Sequence, residues 1–297
     1  DMGAFRRPAS PVVQAESPAS GSLDDLRARG MRPRAAIVNK GSFGFRLLFT
    51  KLGKSRFLSH LDTVRMLPRL FRRAGVAVTY SLGFHPKPKL MFSPALPTGY
   101  GSRGELLDVR LEEALEVESL LERLNRSAPE GVCFLGAARL AEGDLPLSRL
   151  ARVADYEVAL PTSIPPHEVL AERIEATLSG KPVEIVRRSG KEGSEVLSIP
   201  RPALRISLDE ERSTLSLRIR LEGSPIPRAD EVASVILGSP CPPQAADRVA
   251  LWFVPPGGGT AAAQAGGQAQ RQVISPLDVE RIRALGFSRP GGGPSGG

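Results

Sequence analysis

Across residues 43–139 the hydrophobic period switches in the order strand, helix, strand, strand, helix, strand, and few folds accept that order. FGFRLLFTK over 43–51 is a dense apolar and aromatic run of strand length. After a turn at Gly53, Ser59 with Asp62 three residues on gives a capping-box start. A helix over 60–74 then places Leu61, Val64, Leu67, Phe71 and Ala74 on one face and Arg65, Arg69, Arg72 and Arg73 on the other. Gly75 suits the C′ position, and Pro68 predicts a kink, because a mid-helix proline removes a hydrogen bond. Strands are expected at 76–81, 89–93 and 105–111, then a helix at 113–126 with Val117, Leu120, Leu121 and Leu124 inward, then a strand at 132–139. This is a split βαβ order with one additional hairpin strand.

The second half repeats the order without repeating the sequence. It reads as a strand at 155–160, a helix at 167–178, a strand at 183–188, a hairpin of 203–208 with 214–221, a helix at 228–237 and a strand at 248–254. The expected class is α+β, with two tandem ferredoxin-like domains at 43–150 and 151–254. Residues 1–42 mix Pro, Ala, Ser, Gly and Arg without period and read as a flexible arm, and 255–297 read as a low-complexity tail around a possible short helix at 276–285. The chain begins at Asp1 rather than Met, which fits a fragment or a piece of a fused polypeptide.

Charge is unevenly placed. Between Arg46 and Arg103 there are eleven basic residues against the single acid Asp62, a net +10, whereas the whole chain carries only +8. A solvated face normally intersperses both signs, so this segment reads as a footprint for nucleic acid or another polyphosphate, with a bland basic surface as the alternative. Other classes are excluded or disfavoured. No apolar run is long enough to span a membrane, no signal-type segment opens the sequence, and a cytoplasmic location with no membrane partner is expected. Cys133 and Cys241 alone cannot build a disulfide framework or a cluster, and His60, His85 and His167 fall in different elements, so no metal site is expected. The GYGSRG turn lacks the ending of a phosphate loop and does not open a helix, which speaks against an NTPase.

RFLSHLD (56–62), the Arg-rich helix ending RRAG, SLGFHPKPK (81–89) and the ALPTG turn occur at the spacing of the radical-SAM-linked domain family, which the stretch resembles. The resemblance extends over about 43–254 and is strongest up to about 102. It departs at Pro68, where the family keeps helix formers, and at LSIPRPALR, where the family has an aspartate-bearing strand. It implies a partner more than a reaction: a cobalamin-binding radical SAM protein encoded nearby or fused, which would hold the iron–sulfur cluster, S-adenosylmethionine and cobalamin while this chain holds no cofactor of its own. By element order and the Ser-His-Leu run, the first half is also similar to CRISPR repeat-processing endoribonucleases, which raises RNA as a ligand but does not carry an activity.

The expected nucleic-acid contacts are Lys51, Lys54, Arg56, His60, Arg65, Arg69, Arg72, Arg73, Phe84, His85, Lys87, Lys89, Tyr100 and Arg103. Cations would track phosphates, and Phe84, His85 and Tyr100 would offer flat surfaces to bases. The alternative for Phe84 is burial under a rigid hairpin, and for Tyr100 the covering of an edge. His60 beside Asp62 is the one catalytic candidate, as a general acid or base in metal-independent cleavage, although residues two apart on a helix point to different sides. The leading expectation is an accessory protein that presents RNA or a ribonucleoprotein to a radical SAM partner. The alternatives are an endoribonuclease using His60 and a protein–protein adaptor.

Overall fold

The computed structural model describes residues 41–82, 84–189, 193–253, 275 and 277–280. Its first half runs β1 (Phe43–Lys51), a 3-10 turn (Gly53–Phe57), α1 (His60–Arg73), β2 (Leu90–Phe92), β3 (Gly101–Leu111), α2 (Val117–Ser127) and β4 (Phe134–Leu140). A short α3 (Leu147–Leu150) leads to β5 (Val153–Ala159), α4 (His167–Leu178), β6 (Pro182–Ser189), β7 (Gly193–Pro200), β8 (Arg205–Asp209), β9 (Thr214–Arg220), α5 (Ala229–Leu237) and β10 (Ala246–Trp252). Most of the expected arm and tail, and most of the short helix expected at 276–285, lie outside the described residues.

One eight-stranded sheet runs through both halves in the order β4-β1-β3-β10-β5-β9-β8, with β2 also pairing with β3. The first half therefore reads β4-β1-β3-β2 and the second β10-β5-β9-β8, the same positional order twice and all antiparallel within each half. This α+β architecture is compatible with the tandem split βαβ plan. The halves join where β10 lies parallel to the start of β3, pairing Asp247 with Gly101 and Arg248 with Ser102. Gly104 permits this approach, since a Cβ there would lie 2.8 Å from the carbonyl oxygen of Val249.

Local chemistry explains the elements of the first half. Ser59 Oγ accepts from the Asp62 amide at 3.2 Å, and the Asp62 carboxylate accepts from the Ser59 amide at 3.1 Å, so both halves of the capping box form. The Ser59 hydroxyl and amide hold the Asp62 carboxyl below the usual carboxylate range. Leu67, Leu70 and Phe71 of α1 bury against Phe45, Leu47 and Phe49 of β1 and Leu107 and Val109 of β3, with Leu120 and Leu124 of α2 closing the cluster. Gly75 takes φ of 66° just past the helix.

Several expectations are corrected. Leu61, placed inward by its spacing, is 62% exposed, and Thr63 takes the buried position with its hydroxyl donating to the Ser59 carbonyl. The strand expected at 76–81 reduces to bridges of Val78 with Leu111 and Tyr80 with Pro88, since prolines 86 and 88 have no amide to donate to a ladder. The strand expected at 183–188 forms, but among the described residues it pairs, as β6, only with β7, a strand the sequence reading missed, in a separate two-stranded sheet. Arg187 of β6 ties that hairpin to α5 through two bonds to Glu231, at 2.6 and 2.8 Å.

The opposite sheet face is organised by arginine. Arg46 of β1 stands directly across from Asp108 of β3 and donates Nε to Oδ1 at 2.7 Å and Nη2 to Oδ2 at 2.8 Å. Nη2 also reaches the Leu145 carbonyl at 2.8 Å, and the side chain is 0% exposed. In the second half Asp155 of β5 faces Arg218 of β9 with the same two distances and the signs exchanged between strands. Trp252 Nε1 donates to Asp155 at 2.7 Å. Removing one member of a buried pair strands the other charge, which typically costs about 3–5 kcal/mol, whereas exposed pairs contribute about 0–1 kcal/mol. Asp108→Ala is therefore expected to lose several kcal/mol in urea unfolding followed by Trp252 fluorescence, and Glu157→Ala, which releases the exposed Arg103, under about 1 kcal/mol. Equal losses at the two positions would contradict this reading of the sheet.

Candidate nucleic-acid interface

Of the eleven cations between Arg46 and Arg103, ten separate into two populations and Lys51 stands apart. Arg46 is consumed by Asp108 as above. Arg56 donates Nε to the Gly99 carbonyl and Nη2 to Asp247 Oδ1, both at 2.7 Å. Arg103 meets Glu157 at 3.0 Å and Asp247 at 3.7 Å, and the exposed Lys54 stands 3.9 Å from Glu130. The acidic partners lie in β3, the α2–β4 connection, β5 and β10, beyond the basic segment itself. Long-range folding thus neutralises part of a charge that is unopposed in sequence.

The second population faces water. Arg65, Arg69, Arg72 and Arg73 are exposed along α1, at positions that fall in one stripe of a 3.6-residue helix. Arg73 donates to the Ser127 carbonyl at 2.9 Å, while Arg65, Arg69 and Arg72 have no hydrogen bond or ion pair among the described residues. The second patch is the 81–89 loop. Its base is sewn by Ser81 N to Lys87 O at 2.8 Å, Lys87 N to Ser81 Oγ at 2.9 Å and Lys89 N to Thr79 O at 2.8 Å. From that closed base Phe84 projects with 98% of its surface exposed, and His85, Lys87 and Lys89 are exposed beside it. Burial of Phe84 under the hairpin is thereby ruled out. His60, at the start of α1, packs edge-on against Phe92 of β2 with ring centroids 5.4 Å apart, which brings the RFLSHLD turn against the strand that leaves the loop.

Tyr100 is 1% exposed and joins the core, so it offers no face to a base. Its hydroxyl donates to the Asp230 carboxylate and accepts from the Asp230 amide at 2.9 Å, pinning the first turn of α5. Burial raises the Tyr100 hydroxyl well above its ordinary value, with the Asp230 charge adding to the effect. Burial also lifts the Asp230 carboxyl, and it pushes the Cys241 thiol up to about 11. His60 and Asp62 do not form a proton relay: no hydrogen bond joins them among the described residues, and the carboxylate is engaged by Ser59. His167 is 3.5 Å from Glu210 in the second half.

Lys51 departs most from its expected role. It is 4% exposed, beside Glu105, Arg248 and Arg56 at the join of the halves, with no hydrogen bond or ion pair among the described residues. Arg248 is fully buried and binds Glu105, reaching it with Nε at 3.2 Å, and donates Nη1 to the Pro94 carbonyl at 2.8 Å. Desolvation lowers the Lys51 pKa; Glu105 opposes that shift and the two arginines reinforce it. Arg110 and Arg139, which lie outside the basic segment, are cations the sequence reading passed over; they line a cavity at the opposite end of β1.

Residues 45–224 match the family described as an uncharacterized protein conserved in bacteria (DUF2344). No curated protein matches the chain.

The buried lysine yields a pH dependence. Between its depressed native pKa and the 10.5 of an ordinary lysine, the unfolded chain holds the additional proton, so the contribution of Lys51 to stability rises with pH across that window. Lys51→Met is expected to be more stable than the parent near neutrality, with the margin narrowing as pH climbs toward that upper limit. Urea midpoints for both chains along a pH series check it, and a pH-independent difference would show a solvated ammonium.

Proposed function

Since the chain belongs to this family of uncharacterised bacterial proteins, whose description names no activity, we propose a function from the surface itself: it binds single-stranded RNA through the outer face of α1 and the 81–89 loop. One observation carries the reading. Exposed cations without an ion pair among the described residues, Arg65, Arg69 and Arg72, occur together with a fully presented aromatic ring flanked by Lys87 and Lys89. Cations that follow a phosphate backbone supply sequence-independent affinity by releasing counterions. An exposed ring supplies a stacking platform that only an unpaired base can reach. Lys51 and Tyr100 are withdrawn into the interior and take no part, and Arg56 serves the join of the two halves.

In this reading the protein is an accessory factor of the cytoplasm that presents RNA or a ribonucleoprotein to an enzyme. The resemblance of RFLSHLD and SLGFHPKPK to the radical-SAM-linked family supports a radical SAM protein as that enzyme, which would bring its own iron–sulfur cluster, S-adenosylmethionine and cobalamin. Cleavage by His60 is not part of the proposal, because no carboxylate orients its ring among the described residues. No described helix is long and apolar enough to cross a membrane.

Fluorescence anisotropy of the full chain with labelled oligoribonucleotides tests the proposal. Affinity for single strands is expected to fall steeply between about 50 and 200 mM salt. Arg69→Ala with Arg72→Ala should weaken all sequences alike and flatten the salt slope by roughly one to two units, with stability within about 0.5 kcal/mol. Phe84→Ala should cost single strands about 1–3 kcal/mol per stacked base and leave duplexes nearly unchanged. An unaltered slope in the double variant would assign the basic face to an acidic protein partner instead.

A further inference from the structure

At the end of the sheet where β1 begins and β4 finishes, a cavity of about 540 Å³ is lined by Lys89, Arg110, Arg139, Glu142 and the residues around Gly44. This size falls within the range of small-ligand clefts, about 300–1,000 Å³. Gly44 is directly opposite both Arg110 and Leu140 in the ladders. A Cβ on Gly44 would stand 2.8 Å from Arg110 Nη1 and 2.9 Å from Leu140 Cβ, so the glycine makes the space in which that guanidinium lies. A glycine inside a strand weakens it and often marks a place where something must approach closely. Here the approaching group is a cation with no hydrogen bond or ion pair among the described residues.

Its neighbours are held in place around it. Arg139 Nη2 donates to the Leu115 carbonyl at 3.0 Å and to Glu116 at 2.7 Å, which fixes its guanidinium beside the cleft. The Arg110 amide donates to the Lys89 carbonyl at 3.1 Å, so the last lysine of the 81–89 loop is stitched to β3 beside Arg110. Lys89, Arg110 and Arg139 line the cleft with the exposed Glu142, Arg139 being already paired with Glu116, and a free arginine fork such as that of Arg110 matches the oxygens of a phosphate.

We infer that this cleft binds a phosphate monoester, carried either by the end of an RNA strand or by a free nucleotide. The strand-end form rests on the RNA-binding reading above; the nucleotide form does not. In the strand-end form the backbone follows Lys87 and Lys89 down the loop and its terminal phosphate enters between Arg110 and Arg139.

Calorimetric titration of the full chain with inorganic phosphate, adenosine 5′-monophosphate and adenosine, and with one decamer bearing a 5′-phosphate, a 3′-phosphate or hydroxyl ends, separates the sources. The monophosphate is expected to bind and adenosine not, and one phosphorylated decamer should bind about tenfold tighter than its hydroxyl form. Arg110→Gln should erase both preferences while the hydroxyl decamer binds as before, and Arg110→Lys should retain part of them; melting temperatures confirm that both variants fold. Binding of the monophosphate that depends on Arg110, with no decamer binding, would keep the cleft as a nucleotide site and remove the RNA reading. Equal binding of adenosine and its monophosphate, or a phosphate preference that survives Arg110→Gln, would overturn the inference.

Discussion

Arg46 has no access to solvent, and its guanidinium is held in a two-pronged bond by Asp108 on the neighbouring strand. An arginine cannot shed its proton on burial, so a carboxylate has to lie opposite it, and that requirement fixes the register of β1 on β3. The pairing recurs between Asp155 and Arg218 in the second half. Arg248 with Glu105 and Arg56 with Asp247 carry the same logic across the join of the halves. The parallel contact of β3 with β10 pairs only two residues on each strand, so these side chains do much to hold it together.

The same pairing sorts the positive charge. On the strands Arg46, Arg103, Arg218 and Arg248 are met by acids from distant parts of the chain, whereas Arg65, Arg69 and Arg72 on the outer face of α1 and Lys87 and Lys89 on the loop after it are exposed without an ion pair among the described residues. The residual field is therefore concentrated on two neighbouring segments, each fixed from below: α1 by its apolar stripe and capping box, the loop by backbone bonds at its base. A rigid stripe of arginines and one projecting ring lose little conformational freedom on binding, which suits recognition of a flexible strand.

Features governed by neighbours in sequence were legible from it. The capping box at Ser59 and Asp62, the arginine face of α1, the Gly75 terminus and most strands follow from spacing and local chemistry. Features governed by partners far along the chain were not. Nothing near Lys51 or Arg56 announces that Glu105, Arg248 and Asp247 will enclose them, and a tyrosine in a glycine-rich turn gives no sign that Asp230 awaits its hydroxyl. Charge counted by segment overstated the free cations for that reason. It also missed Arg110 and Arg139, whose significance depends on strand pairing around Gly44.

In the proposed function RNA meets this protein on α1 and the 81–89 loop rather than at the charged join between the halves. Ultraviolet crosslinking of a bound single-stranded RNA, with adducts located by peptide mass spectrometry, tests it directly. Adducts are expected on the peptide carrying Phe84 and His85, and none on the peptides carrying the buried Tyr100 and Tyr156. Adducts confined to the second half, or spread over the join, would contradict it.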